Sequence, residues 1–115
     1  MVVCVPVTTD GLIDPAWGRA DRVAITAVTG DGIGAWQEYA VGWHALHDAG
    51  TEGSHHARVA RFLKEHHVDA VVANHMGMPM VHMLERMGVK ICLGANGNAR
   101  EAAMGAIEIR PSNGD

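Results

Sequence analysis

Soft donor atoms crowd one short stretch of this sequence. From His75 to Met87 the chain reads HMGMPMVHMLERM, and Met76, Met78, Met80, Met83 and Met87 give five thioethers within twelve residues. Thioether sulfur and neutral imidazole suit Cu(I) or a thiometallate better than magnesium or calcium. Spacing divides the stretch in two. Met80, Met83, Leu84 and Met87 recur at three and four, as a buried helix stripe does, so core packing accounts for those methionines. Met76 and Met78 fall in the loop before that helix, where packing and ligation both remain open. His75 follows a strand end and reads as a ligand or as a polar loop residue. His82 falls on the exposed side of the helix. Gly77, with no side chain, lets the backbone approach a ligand closely.

Three further segments carry groups able to meet an anion or a metal. Arg19, set between Gly18 and Ala20, offers a guanidinium that matches a carboxylate, a phosphate or a sulfido-metallate; a salt bridge tying down its long loop is the alternative. Gly94-Ala95-Asn96-Gly97 precedes a helix and reads as a backbone N–H cradle around Asn96 or as a plain tight turn. His55 and His56 open a helix, where the positive dipole end favours a neutral, metal-competent ring. His66 and His67 close it and read as solvated capping residues. His44 and His47 fall in a loop between glycines.

The elements that must position these groups follow from periodicity and punctuation. Val2 to Val7 reads as a buried strand, followed by a long Gly- and Pro-marked loop from Thr8 to Arg22. Val23 to Val28 and Ile33 to Val41 form a hairpin across Thr29-Gly30-Asp31-Gly32. Gly42 to Gly53 reads as a loop. Ser54 caps a helix over about 55–67, with Val59, Phe62, Leu63 and His66 on one face. Ala70 to Ala73, the Met-rich loop, a helix from Met80 to Met87 stopped by Gly88, and Val89 to Leu93 make a βαβ unit. A last helix starts near Asn98; Ile107 to Ile109 adds a turn or a short strand, and Pro111 to Asp115 is a tail. The string predicts an α/β fold: a five-stranded mixed sheet of order 3-2-1-4-5, with strand two antiparallel to the others and helices on both faces. Connections leave strands one and four in opposite directions, and open α/β sheets bind ligands at such a switch point. The loops Thr8 to Arg19, Asn74 to Met78 and Gly94 to Asn98 face it, and His56 lies on the same side.

Composition narrows the function. With 115 residues, one domain over about residues 1–110 is expected, with 111–115 as its tail. Hydrophobic residues at 48% and charged residues at 19% describe a globular chain, and a net charge of −4 argues against nucleic acid as a partner. No apolar run approaches the roughly 18–20 residues that span a bilayer, and MVVCVPV lacks the features of a signal peptide, so a cytoplasmic location without membrane partners is expected. Cys4 and Cys92 sit in apolar strands, with no CxxC pair, and read as free core residues. A two-metal nuclease needs clustered carboxylates on the sheet, which VVCVPV does not supply. No GxSxG or Cys/His motif supports covalent catalysis either.

The order Pro6-Val7, Trp17-Gly18-Arg19-Ala20, His56-Ala57, Phe62-Leu63-Lys64-Glu65, Met76-Gly77, Met87-Gly88-Val89-Lys90 and Gly94-Ala95-Asn96-Gly97 resembles the dinitrogenase iron–molybdenum cofactor biosynthesis family. That family includes NifX- and NafY-type carriers and the carboxy-terminal domain of NifB. Trp17-Gly18-Arg19-Ala20 stands where the family has Phe-Gly-Arg-Ala, and His56 where it often has a helix-opening His. The segment His75 to Met83 departs from the commoner members in being richer in His and Met. The resemblance implies a ribonuclease H-like sheet and a non-catalytic carrier of a metal or metal–sulfur cluster, iron–molybdenum-like or another thiometallate. The cargo would be of iron–molybdenum type, a Mo/Cu centre or Cu(I), exchanged with a cluster donor or acceptor protein by a monomer or weak homodimer. Arg19, Gly18, Gly77 and Asn96 would contact the cluster, and His75, His56, Met76 and Met78 would supply metal ligands. The alternative is an interaction or regulatory module of the same fold with no tight metal, pairing through strand three and a Trp36–Tyr39 patch.

Overall fold

Alternation along the strands decides the architecture. Side chains of odd and even residues leave a strand on opposite faces, so a strand apolar at every position is buried on both. Val3 and Val5 join one buried cluster while Cys4, between them, joins the other. Val23 and Ile25 divide from Ala24 and Val28 in the same way, and Val71 and Ala73 from Ala70 and Val72. The structure, a computed structural model, describes residues 1–47 and 50–108. Its strands are β1 (Val2–Pro6), β2 (Arg22–Thr29), β3 (Gly32–Ile33), β4 (Gln37–Ala40), β5 (Ala70–Val72) and β6 (Lys90–Cys92). Its helices are α1 (Trp43–His47), α2 (Glu52–Glu65), α3 (Met78–Arg86) and α4 (Ala99–Met104), with 3-10 turns at Trp17–Arg19 and Gly105–Glu108. Helices cover both faces. Val59 and Leu63 of α2 and Met80 and Leu84 of α3 enter the first cluster, and Ala99 and Ala103 of α4 the second.

The sheet is mixed, six-stranded, and ordered β3-β2-β1-β5-β6, with β4 also on β2. β2 runs antiparallel to β1, while β1, β5 and β6 are parallel to one another. The expected third strand is two strands. β3 pairs with Val28 and Thr29, β4 pairs with Arg22 to Ile25, and the register shifts by one residue between them. One extra residue on the outer strand is a bulge, which hydrophobic alternation does not reveal. The expected Trp36–Tyr39 patch does not form. Trp36 packs against the second cluster, with its Nε1–H on Glu38 and Arg100 over its ring at 4.7 Å. Tyr39 packs on the opposite face, 5.7 Å from Phe62 and 4.6 Å from His66.

The helices α2 and α3 start two to three residues earlier than expected and end one to two residues earlier. α2 starts at Glu52 because Thr51, not Ser54, is its cap; the Thr51 hydroxyl accepts from Ser54 N–H at 3.0 Å. His55 and His56 therefore lie a full turn inside the helix rather than at its dipole end. At the other end His67 takes a left-handed φ of 54°, and Val68 N–H bonds Leu63 O at 3.0 Å. That is a Schellman closure with histidine where glycine is usual. His66 is not solvated as expected: its ring lies 4.4 Å from that of Phe62. The predicted loop after Gly42 contains α1, anchored by the buried Trp43, whose ring meets Trp17 at 5.3 Å and Phe62 at 5.7 Å. The expected ends of the chain, Ile109 and the tail Pro111 to Asp115, lie outside the described residues. No described helix is long and apolar enough to cross a membrane.

Trp43 joins three aromatic neighbours beneath α2, so Trp43→Ala should lower unfolding free energy by about 3–5 kcal/mol. Urea denaturation measures this. A loss below about 1 kcal/mol would show that the aromatic cluster is not a support of the fold.

Candidate functional site

The parallel strands β1 and β5 send their following loops to the same edge of the sheet, and the two loops meet there. Ala16 forms a parallel bridge with His75. The loop after β1 is also sewn to the start of α4: Leu12 bridges Asn98, Ile13 N–H bonds Gly97 O at 2.8 Å, and Ala99 N–H bonds Gly11 O at 3.0 Å. Trp17 then drops into the core, 2% exposed. Between these loops and the helices α2 and α3 lies a cavity of about 270 Å³. Its walls include Gly18, Arg19, His56, His75, Met76 and Gly77, six of the eight candidates read from the sequence.

The other two lie elsewhere. Met78 is 59% exposed and does not line the cavity. Gly77 caps α3 in an extended conformation (φ −68°, ψ 151°), and proline fits the first turn, so α3 begins at Met78 and turns that side chain outward. Asn96 is exposed, in a turn whose ends, Gly94 and Gly97, hold φ values of 84° and 79°. Ala95 N–H is bonded to Ala73 O, and Gly97 O is taken by Ile13, so the segment serves as a tight turn that ties loops together.

Each cavity group has a distinct setting. Met76 is buried at 6%, and Met80 below it packs in the core, as its spacing predicts. His75 is exposed at the rim and His56 is half-buried. Arg19 is exposed and makes no ion pair among the described residues. The salt-bridge alternative for it therefore lacks a partner; backbone bonds and Trp17 hold the loop instead. Trp17 lines the cavity, and its indole N–H is buried with no hydrogen-bond acceptor among the described residues. Among the described residues no acid lines this cavity. Neither does a cysteine: Cys4 is sealed in the sheet, where burial pushes its thiol pKa up, and Cys92 packs against the second cluster.

His55 is a residue that the sequence did not single out from its neighbour. It is 3% exposed, and its Nε2 lies 2.7 Å from Gly18 O while Arg58 Nη1 lies 3.0 Å from its Nδ1. Arg58 can only donate, so Nδ1 accepts and Nε2 carries the proton that goes to Gly18 O. Both ring nitrogens are thus engaged, and His55 positions the loop that carries Arg19 instead of reaching for a ligand. Nothing in the local sequence separates His55 from His56; only the helix rotation does.

A larger depression of about 680 Å³ lies between β4 and α2, walled by Tyr39, Trp43, Arg58, Arg61 and Phe62. Among the described residues it contains no soft donor. The smaller cavity is the one that gathers candidate ligands.

Residues 1–108 match the protein family described as dinitrogenase iron-molybdenum cofactor. The chain belongs to that family. Known structures share its fold. The apo form of the orange protein from Desulfovibrio gigas is 18% identical, with a TM-score of 0.73, over 98% of this chain and 93% of that one. The crystal structure of PH0822 is 15% identical, with a TM-score of 0.74, over 94% and 90% of the two chains. The solution structure of the Thermotoga protein TM1290 is 22% identical, with a TM-score of 0.67, over 93% and 87%. None of the curated proteins matches the chain. Membership places the chain among proteins of iron–molybdenum cofactor binding and biosynthesis.

The different settings of Arg19 and His55 give opposite expectations. Arg19→Ala should leave the melting temperature within about 1–2 °C of the parent, since no ion pair is lost. His55→Ala leaves Gly18 O and Arg58 without their partner and should cost about 1–3 kcal/mol. Paired thermal melts check both.

Proposed function

We propose that this protein is a non-catalytic carrier of an anionic metal–sulfur cluster or a soft metal ion, held in the cavity at the carboxyl edge of the sheet. The observation that carries this reading is the gathering of His56, His75 and Met76 in one cavity with an arginine that has no ion-pair partner among the described residues. Imidazole and thioether are neutral, soft ligands that favour Cu(I) or a sulfur-bound metal over hard cations. Arg19 adds one positive charge at the rim. It fits a cargo with negatively charged sulfur at its surface. Without a lining thiolate, the cargo must bring its own sulfide, as a preassembled cluster of iron–molybdenum or Mo/Cu type does. Gly18 and Gly77 keep the walls free of side chains where the loops approach it.

Binding rather than catalysis is supported by the lining, which among the described residues holds no acid to act as a base or to grip two divalent ions. In this reading the sheet is of the ribonuclease H-like kind, put to carriage within one domain over residues 1–110. The chain acts in the cytoplasm as a monomer or weak homodimer, receiving its cargo from a donor protein and passing it to an acceptor.

Anaerobic titration with a synthetic tetrathiomolybdate–copper cluster, followed by visible absorption, tests the reading. His56→Ala combined with His75→Ala should abolish binding while the far-ultraviolet dichroism stays that of the parent. Arg19→Ala should weaken binding by about tenfold, the order expected for one charge-assisted contact. Unchanged affinity and stoichiometry in the double variant would overturn the assignment.

A further inference from the structure

On the far side of His56 lies a second opening. A groove of about 540 Å³ runs between α2 and α3, and its walls are Gly53, His56 and Ala57 from the first helix and Pro79, His82, Met83 and Arg86 from the second. These positions are spaced at three and four along each helix, so each set forms one continuous face. Gly53 and Ala57 flank His56 with almost no side chain, which leaves its imidazole standing clear. Opposite are the exposed ring of His82 and the half-buried thioether of Met83. Among the described residues the groove is lined by no carboxylate and no cysteine.

We propose that this groove is a second soft-metal site, for Cu(I), with His82 and Met83 as its own ligands and His56 shared with the cavity. Two imidazoles and a thioether form a neutral three-donor set of the kind that selects Cu(I). Arg86 at one end raises the cost of a divalent cation more than that of a monovalent one. His56 lines both openings, so a single ring can hold a metal ion first with His82 and then with His75. The transfer is a ligand exchange: Cu(I) remains Cu(I), and the His75 imidazole and Met76 thioether replace those of His82 and Met83 while His56 stays bound. The groove then acts as the entrance through which the metal reaches the cavity. The hand-over rests on the carrier reading given above; the groove site itself does not.

Anaerobic competition for Cu(I) against bicinchoninate tests the site, with nuclear magnetic resonance of the same samples, since Cu(I) is diamagnetic. In a His75→Ala background the protein should still hold Cu(I), with shifts at the His82 ring and the Met83 methyl. Adding His82→Ala, or Met83→Leu, should weaken that remaining affinity by about tenfold or more. His82 is exposed and leucine preserves the apolar bulk of Met83, so both variants should fold, and thermal melts verify it. If His75→Ala/His82→Ala holds Cu(I) as tightly as His75→Ala alone, with no shift at residue 83, the groove site is overturned. If His75→Ala binds as the parent does and every shift lies in the groove, the groove site stands and it is the cavity that fails as a Cu(I) site.

Discussion

Two parallel residue pairs, Val3 with Ala70 and Cys4 with Val71, join the halves of this molecule. On one side of them lies a local antiparallel hairpin, on the other a βαβ unit. Asp69 locks the seam, its carboxylate accepting from Val2 N–H at 2.7 Å and its own N–H bonding Val2 O at 2.8 Å. Closing this pairing brings together residues more than sixty positions apart, a cost in chain entropy that the fully apolar β1 and β5 offset by burial on both faces. Without the seam, the loop carrying Gly18 and Arg19 and the loop carrying His75 and Met76 would belong to separate structures. The cavity is a product of the pairing of β1 with β5 before it is a product of any ligand.

Much of this was legible in the residues. The strands are short apolar runs bounded by turn chemistry, and local pairing with right-handed crossovers leaves few ways to order them. Gly88 stopped α3 as expected, with φ of 80°, and Asn98 caps α4 by accepting from Glu101 N–H. Six site candidates meet because loop position follows from strand order. What could not be read depended on rotation or on contact at a distance. Met78 left the site because Pro79 favours the first turn of a helix, which begins α3 two residues early. His55 and His56 are adjacent and chemically identical, and the turn of α2 alone makes one a strut and the other a wall. Trp43 sits in a segment so polar that periodicity could not find α1; its burial is decided by Trp17 and Phe62, remote in sequence.

The loop after β1 shows how a site can be placed accurately without committing its own arginine. Backbone bonds to Gly97, Ala99 and Pro6, the Thr8 hydroxyl and Asp14 carboxylate accepting from N–H groups of the loop, a buried indole and the His55 strut fix its course. Arg19 is therefore not needed to hold its own segment and remains uncommitted at the rim. Preorganisation of this kind lowers the ordering cost of binding, because the loop is already in place when a ligand arrives.

The sealing of Cys4 inside β1 bears on how long a cargo would stay. Its thiol is fully buried and pushed toward the protonated form, and the cavity has no other sulfur anion to offer. Thiolate ligation would make a durable bond and would couple release to proton uptake. A hold built from imidazoles, a thioether and one guanidinium would use no thiolate. On the proposed carrier reading, residence time would then depend on how firmly the acceptor grips, and delivery would leave no thiol to reduce.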